Sequence, residues 1–381
     1  MTNILIAIIV FLIIVTLVQI LRVSELLSEI NNTDVNEVTD EDNNTQGKLS
    51  LGILFLFLGF VIWQMISWNH FLLPGASSVH GEIIDGLMSF TMNLILVVFF
   101  ILTPLLFYYA FKYRGKKSNT AYFYAHNNKL EIIWTVVPTI FLSGVIVYGL
   151  QTWDKAMNPD TSNSKVIEVY AEQFRWTARY AGQDKLLGKT DFRFVVDKFN
   201  PLGLVNNEYL KIAIKDKQVD YDRLSRNPLK KDDYGKSNQE KMDVLSGHIK
   251  QLPSILNEVS TDALTQSSDD IITREVHLVI NEPVLLKFRS QDVIHSAFLP
   301  HFRVQMNCVP GMNTQFAFTP TKTTVEMRET EGEDFDYILL CNKICGVAHY
   351  NMQMKFVVET QNEYDVWLAQ QKTLKNTLTL N

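Results

Sequence analysis

The chain has 381 residues, enough for two domains, with 35 basic and 41 acidic residues giving a formal net charge of −6. That balance gives no basis for a nucleic-acid partner, and the absence of cysteine before position 308 excludes thiol-linked lipid attachment near the N-terminus. A composition that is 47% hydrophobic and yet 20% charged implies that the two classes are segregated along the chain.

The apolar residues gather in the first 150 positions, in runs at 4–21, 49–68, 87–111 and 131–150. Each matches the ~20 residues that carry a helix across a hydrocarbon core of ~30 Å, which predicts four transmembrane helices. The first run is longer than the apolar part of a secretory signal and no basic residue precedes it, so it reads as a retained helix. The loop 112–129 carries Lys112, Arg114, Lys116, Lys117 and Lys129 without an acid, and the preference of basic loops for the cytoplasm orients the chain. The linker 23–48 is then cytoplasmic, while residues 69–86 and everything after about 152 face the periplasm.

Beyond residue 152 short β-rich runs alternate with turns, at 166–180, 274–280, 282–290, 314–320, 323–329, 336–341 and 352–359. Strands bounded by Pro, Gly and Asn predict an all-β sandwich or barrel outside the membrane. A long polar segment at 181–272 interrupts them. Its mixed charge predicts a surface insertion of loop and helix, with a helix broken near Pro253 and no chemistry of its own.

The chemistry concentrates in CNKICGVAHYNM, residues 341–352, where Cys341, Cys345, His349 and Met352 fall within twelve positions of a chain with only three cysteines. A disulfide between Cys341 and Cys345 would close a very small loop and leave His349 and Met352 without a role. Structural zinc takes Cys and His ligands but no thioether. Copper accepts thiolate, imidazole and a weak thioether together, and two neighbouring thiolates can bridge two copper ions. Such a pair needs a second imidazole from elsewhere, for which His295, just after a predicted strand, is the candidate and His301 the rival. Cys308 reads as a buried packing residue. The chain has no CxxCH, and therefore no covalently attached haem is expected; no Ser-His-Asp pattern, phosphate loop or GxGxxG is present either.

The copper loop, with DVIHSAFLP at 292–300, PGM at 310–312, QFRW at 173–176 and EIIWTVVPTIF at 131–141, resembles subunit II of a haem-copper cytochrome c oxidase. The resemblance covers about residues 85–180 and 273–360. It implies a membrane protein with four transmembrane helices followed by a cupredoxin-like β-sandwich with a large insertion. Its parts would be an extra N-terminal helix and polar linker (1–48), three transmembrane helices (49–152) of which 87–111 and 131–150 resemble the family hairpin, a periplasmic CuA domain (153–360) containing the insertion 181–272, and a C-terminal tail (361–381). It further implies a bacterial inner-membrane location.

The same resemblance implies two copper ions in a dinuclear CuA centre, bridged by Cys341 and Cys345. His295 and Met352 would complete one ion, and His349 with the backbone carbonyl of Lys343 the other. The family typically has Glu where this chain has Lys343, and that carboxylate also reaches a magnesium ion; an ammonium cannot, which puts magnesium at the subunit interface in doubt. Phe174 stands where the family has the tryptophan through which electrons enter, with Trp176 retained. Glu131 corresponds to the mouth of a proton channel. The acid run ETEGEDFDY at 329–337 would offer a docking surface for a basic cytochrome. The implied partners are the catalytic subunit I, other oxidase subunits, membrane lipid, and cytochrome c or a cytochrome c domain of a donating complex. The implied function is electron entry: cytochrome c reduces CuA, and electrons pass to haem in the subunit that reduces oxygen and pumps protons. Other classes with this loop are a CuA-bearing reductase, which would need far more than eight histidines, and a copper-delivery protein, which needs no membrane helices. Quinol oxidase subunits share the architecture but lack the cysteines.

Overall fold

The computed structural model describes residues 2–30, 38–197, 199–232, 235–259 and 267–374. Residues 31–37 of the expected linker, 198, 233–234 and 260–266 of the expected insertion, and 375–381 of the expected tail lie outside them. The four apolar runs are helices, α1 (Thr2–Ile30), α2 (Asp40–Ser67), α3 (Val79–Lys112) and α4 (Asn128–Met157), each containing a stretch long and apolar enough to cross a membrane. α2 extends beyond its apolar run because Thr39 and Asp42 cap its N-terminus reciprocally.

The chain divides into two units, residues 1–72 with 91–140, and residues 73–90 with 141–381. In the first, Arg114 of the basic loop donates to Asn44 Oδ1 at 2.8 Å and to Phe111 O at 2.7 Å. The Lys117 N–H donates to Asp40 Oδ1. These bonds tie the two segments read as cytoplasmic to each other.

The second unit is a sandwich of two five-stranded sheets. One runs in the order β3 (Ile271–Thr273), β2 (Arg175–Tyr180), β1 (Lys165–Glu172), β5 (Val284–Ser290), β8 (Thr314–Phe318). The other runs β4 (Glu275–Val279), β10 (Gln353–Glu359), β9 (Tyr337–Cys341), β6 (His295–Leu299), β7 (Val304–Cys308). Strand alternation explains both faces of the β1–β2 hairpin. Ile167, Val169, Ala171, Trp176, Ala178 and Tyr180 enter the sandwich core, together with Phe288, Phe302 and Phe356. Glu168, Tyr170 and Arg179, on the other face, are nevertheless buried.

What buries them is the insertion. It contains α5 (Asn207–Ser225) and α6 (Asn238–Asn257), packed around Phe194, Leu202, Leu204, Leu252, Ile255 and Leu256 in a core that includes Tyr170 of β1. The expected surface insertion is thus a cover for the outer face of one sheet. The expected break at Pro253 is absent and α6 runs through it. Proline removes one helical hydrogen bond, but its neighbours Leu252, Ile255 and Leu256 are buried and hold the turn in place.

Two further expectations change. The run 323–329 is a helix, α7 (Thr324–Glu331), not a strand. Thr323 and Glu326 form a capping box that takes up the first free N–H groups, which outweighs the β-branched pair at its start. Thr323→Ala is expected to cost about 1 kcal/mol, read as a lower denaturation midpoint of the purified chain. The tail begins with another capped helix, α8 (Gln361–Gln370), whose Trp367 stacks on His277 of β4 at a ring separation of 4.0 Å.

Candidate metal centre

The copper loop is closed at its base before any side chain is considered. β9 delivers Cys341 and β10 begins at Gln353; between them, Cys341 N–H donates to Met352 O at 3.1 Å and Asn342 N–H to Ser296 O of β6 at 2.8 Å. β6 pairs with β9 so that Ala297 faces Cys341. That register carries His295, two residues along the same face, to the mouth of the loop.

The donors converge there. Cys341 Sγ lies 3.8 Å from Cys345 Sγ, 3.9 Å from His295 Nδ1 and 3.2 Å from Lys343 O. Cys345 Sγ lies 3.6 Å from His349 Nδ1 and 3.8 Å from Met352 Sδ. The sulfurs are free thiols, well beyond the ~2.05 Å of a disulfide bond. His295, Cys341 and Cys345 are the one cluster of potential metal ligands among the described residues. Two soft sulfurs flanked by imidazole on both sides, with a thioether and a carbonyl, fit copper and do not fit tetrahedral zinc.

Supporting groups set the orientation. His295 is fully buried and its Nε2 donates to Asp292 Oδ1 at 2.9 Å, which leaves Nδ1 facing the thiols as a donor to metal. Burial works to raise the Asp292 carboxyl, but hydrogen bonds from His295 and from the Gln173 and Val293 N–H groups outweigh it and hold it below the usual range. Burial, and then the neighbouring Cys341, push the Cys345 thiol up to about 11.

Histidine 301 is elsewhere, in a short turn before β7, edge-on to Phe335 and Tyr337. Cys308 faces His295 across the β6–β7 pair, fully buried, with its thiol pushed up to about 12 by burial. Glu131 sits in the first turn of α4, accepting from the Asn127 N–H at 3.2 Å, with His126 Nδ1 at 3.9 Å.

The turn between β1 and β2 reaches over the loop. Gln173 Nε2 donates to Cys345 O, and Phe174 packs on Gly346. A Cβ at Gly346 would lie 2.8 Å from the Phe174 ring, and its φ of +142° is one that other residues avoid. Gly346→Ala is therefore expected to cost about 1–3 kcal/mol and to weaken copper retention, checked by the copper content of the purified chain after dialysis. Trp176 is 2% exposed, with its Nε1 donating to Met352 O at 3.4 Å and its ring centroid 6.0 Å from that of His295; it offers no surface to a docking protein. Around the loop Ile344, Val347 and Tyr350 are exposed.

The acid run is not beside this centre, although it adjoins the loop in sequence. β9 lies between them, and its five residues at ~3.3 Å each place Asp336 about 16 Å from Cys341. Asp336 is in addition paired with Arg328 at 2.8 Å and Lys355 at 3.1 Å.

Residues 51–152 match the family model for the cytochrome c oxidase subunit II transmembrane domain, and residues 253–360 that for its periplasmic domain. The chain is 26% identical over 330 residues to an alternative cytochrome c oxidase subunit 2 of Bradyrhizobium diazoefficiens, covering 85% of this chain and 92% of the relative. It is 24% identical over 327 residues to cytochrome c oxidase subunit 2 of Synechocystis sp., covering 84% and 83%. The crystal structure of the periplasmic domain of subunit II of cytochrome oxidase of Bradyrhizobium japonicum aligns with 56% of this chain and 95% of its own at 15% identity and a TM-score of 0.27.

Proposed function

Because this chain belongs to the cytochrome c oxidase subunit II family, we propose that it is the electron-entry subunit of a terminal oxidase, holding two copper ions as a CuA pair between β9 and β10. The chain is a multi-pass membrane protein with a periplasmic C-terminal domain, a copper-containing electron-transfer subunit associated with the catalytic subunit of a haem-copper oxidase.

The observation that carries the finer reading is the convergence of both thiols, both imidazoles, the Met352 thioether and the Lys343 carbonyl. Cys341 and Cys345 would bridge the ions, His295 and Met352 would complete one, and His349 with Lys343 O the other. When bound, the copper pair supplies a one-electron site that cytochrome c reduces and that haem of the oxygen-reducing, proton-pumping subunit reoxidises. The protein's part is to hold the donors still. The Asp292 hydrogen bond orients His295, and the two backbone bonds at the loop base fix the loop, so that little rearrangement accompanies a change of charge. Phe174, packed on Gly346 of the loop and only partly buried, is the better placed of the two entry candidates, and Trp176 backs the site from the core. Glu131 keeps the proposed proton-entry role on the cytoplasmic side. Lys343 presents an ammonium where a magnesium ligand would need oxygen, so no magnesium contact is assigned to its side chain.

The test is electron paramagnetic resonance and an optical spectrum on the copper-loaded full chain. A mixed-valence signal with hyperfine coupling to two equivalent coppers is the expected result; a mononuclear signal, or preference for zinc, overturns the reading. Lys343→Ala should leave that signal and the copper content unchanged, since the contact is main chain. Loss of one copper in that variant would remove the carbonyl from the ligand set.

A further inference from the structure

β1 and β5 run parallel with Ala171 opposite Ser290, so the turn after β1 and the loop after β5 leave their sheet at the same end. The Gln291 N–H donates to Ala171 O at 2.9 Å and ties the two together. The copper donors Cys341, Cys345, His349 and Met352 belong to the other sheet and to the loop between β9 and β10. Gln173, in the turn after β1, joins the two sheets at this end.

Its bonds run to both sides of the donor set. The Gln173 main-chain N–H donates to Asp292 Oδ2 at 2.7 Å, and Asp292 Oδ1 accepts from His295 Nε2 at 2.9 Å. The Gln173 carboxamide Nε2 donates to Cys345 O, and Cys345 carries the thiol that lies within 3.8 Å of Cys341 Sγ, His349 Nδ1 and Met352 Sδ. One residue is thus bonded both to the carboxylate that orients an imidazole and to the peptide that carries the central thiol. The backbone bonds at the loop base, from Cys341 and Asn342, are four and three residues away from Cys345 in the chain, so they do not fix the peptide at the loop's tip. Gly346 admits the carboxamide: a Cβ there would lie 2.9 Å from Gln173 Nε2 and 2.8 Å from the Phe174 ring. Glu172 and Arg175, on either side of the turn, pair with each other, which leaves Gln173 as the polar side chain that reaches the loop.

We propose that Gln173 is a positioning residue of the copper centre, its carboxamide clamping the Cys345 peptide so that the bridging thiol keeps its place relative to His295. The role rests on the copper reading given above. It belongs to the protein alone, since the hydrogen bonds that make the clamp are formed between its own groups, and preorganised donors of this kind retain metal better than donors that must be gathered on binding.

The test uses the copper-loaded full chain with two substitutions. Gln173→Met keeps the length of the side chain and removes its donor, while Gln173→Glu keeps its shape and replaces the donor by a group that only accepts when ionised. Both leave the main-chain bond to Asp292 in place. Loss of copper to an excess of chelator is expected to be about fivefold faster in Gln173→Met, the size of one lost hydrogen bond, and faster again in Gln173→Glu, where a carboxylate faces the Cys345 carbonyl. The paramagnetic signal of Gln173→Met is expected to show two copper couplings that are no longer equal, because Cys345 is released while Asp292 still holds His295. Thermal midpoints of the copper-free chains should match that of the wild type. Release rates and couplings unchanged from wild type overturn the proposal. So does a copper-free midpoint lowered in both variants, which would make Gln173 a structural residue of the domain. A wild-type chain without the two-copper signal overturns the copper reading and this proposal together, whereas variants that behave as wild type overturn this proposal and leave that reading standing.

Discussion

Cys345→Ser is expected to abolish the two-copper signal of the loaded chain, while Cys308→Ala keeps it. Cys345 Sγ lies within 3.8 Å of Cys341 Sγ, His349 Nδ1 and Met352 Sδ. Removing it takes away a bridge and isolates two terminal donors at once. The loss should exceed the roughly 10–100-fold drop in metal affinity typical of losing a supporting partner, which is the range expected for Asp292→Asn. Cys308 is fully buried and pairs with His295 across β6 and β7, but its thiol is not in the sulfur cluster. Copper per chain and paramagnetic resonance on both variants check the assignment. A two-copper signal surviving in Cys345→Ser, or vanishing in Cys308→Ala, would sink it.

Glu168→Gln should destabilise the periplasmic domain by roughly 3–5 kcal/mol, the usual consequence of leaving buried charges without their partner. Arg289 Nε donates to Glu168 Oε1 at 2.7 Å, and Arg179 Nε and an Arg289 NH2 group donate to Oε2 at 2.8 and 3.1 Å. Burial works to raise the Glu168 carboxyl, but both arginine charges and their hydrogen bonds prevail and lower it from 4.5 to about 2. Because the folded value lies below the unfolded one, the stabilisation is fully present above about pH 4.5 and is lost as pH falls toward 2. It amounts to about 3 kcal/mol. Asp270, on the other side of Arg179, behaves oppositely: its Oδ2 accepts from Arg179 at 2.7 Å and from the Gly188 N–H, while Oδ1 has no partner. Burial therefore dominates and pushes it up to about 6. Its ionised form costs stability above about pH 6, and that cost is relieved as pH falls toward 4. Asp270→Asn is accordingly expected to cost far less than Glu168→Gln, and the contribution of this pair to wild-type stability to peak at about pH 4, where the unfolded Glu168 and the folded Asp270 terms balance. Urea unfolding of the purified chain across pH, followed by tryptophan fluorescence, tests both. Equal costs for the two substitutions would contradict this account.

Some of this was legible from single stretches of sequence. The membrane runs depend only on the length of apolar chain needed to span a bilayer, and all four are helices. The copper loop was readable because most of its donors fall within twelve consecutive residues, where spacing alone limits how far apart they can be. The strands of the sandwich core were readable where β-branched and aromatic residues run together, as in Val284–Ser290.

Sequence failed where the deciding contact joins distant residues or where a cap overrides propensity. Thr323 and Glu326 turned a β-branched run into α7, and the acid run it leads into is held a strand's length from the thiols it adjoins in sequence. Nothing in 181–272 announced that it covers β1 and β2, because Glu168 and Arg179 look like ordinary outward-facing charges until the insertion is folded over them.

By itself, then, the sequence determined that this protein spans a membrane, carries an extramembrane β-domain and presents a copper-binding loop, since each rests on interactions among near neighbours in the chain. Tertiary structure brought His295, already the candidate in the sequence, to the thiols and left His301 elsewhere, and it alone decided that a buried charge network joins the insertion to the sandwich. Those outcomes depend on strand register, where a shift of one residue turns a side chain to the opposite face, and register is set by the packing of the whole domain.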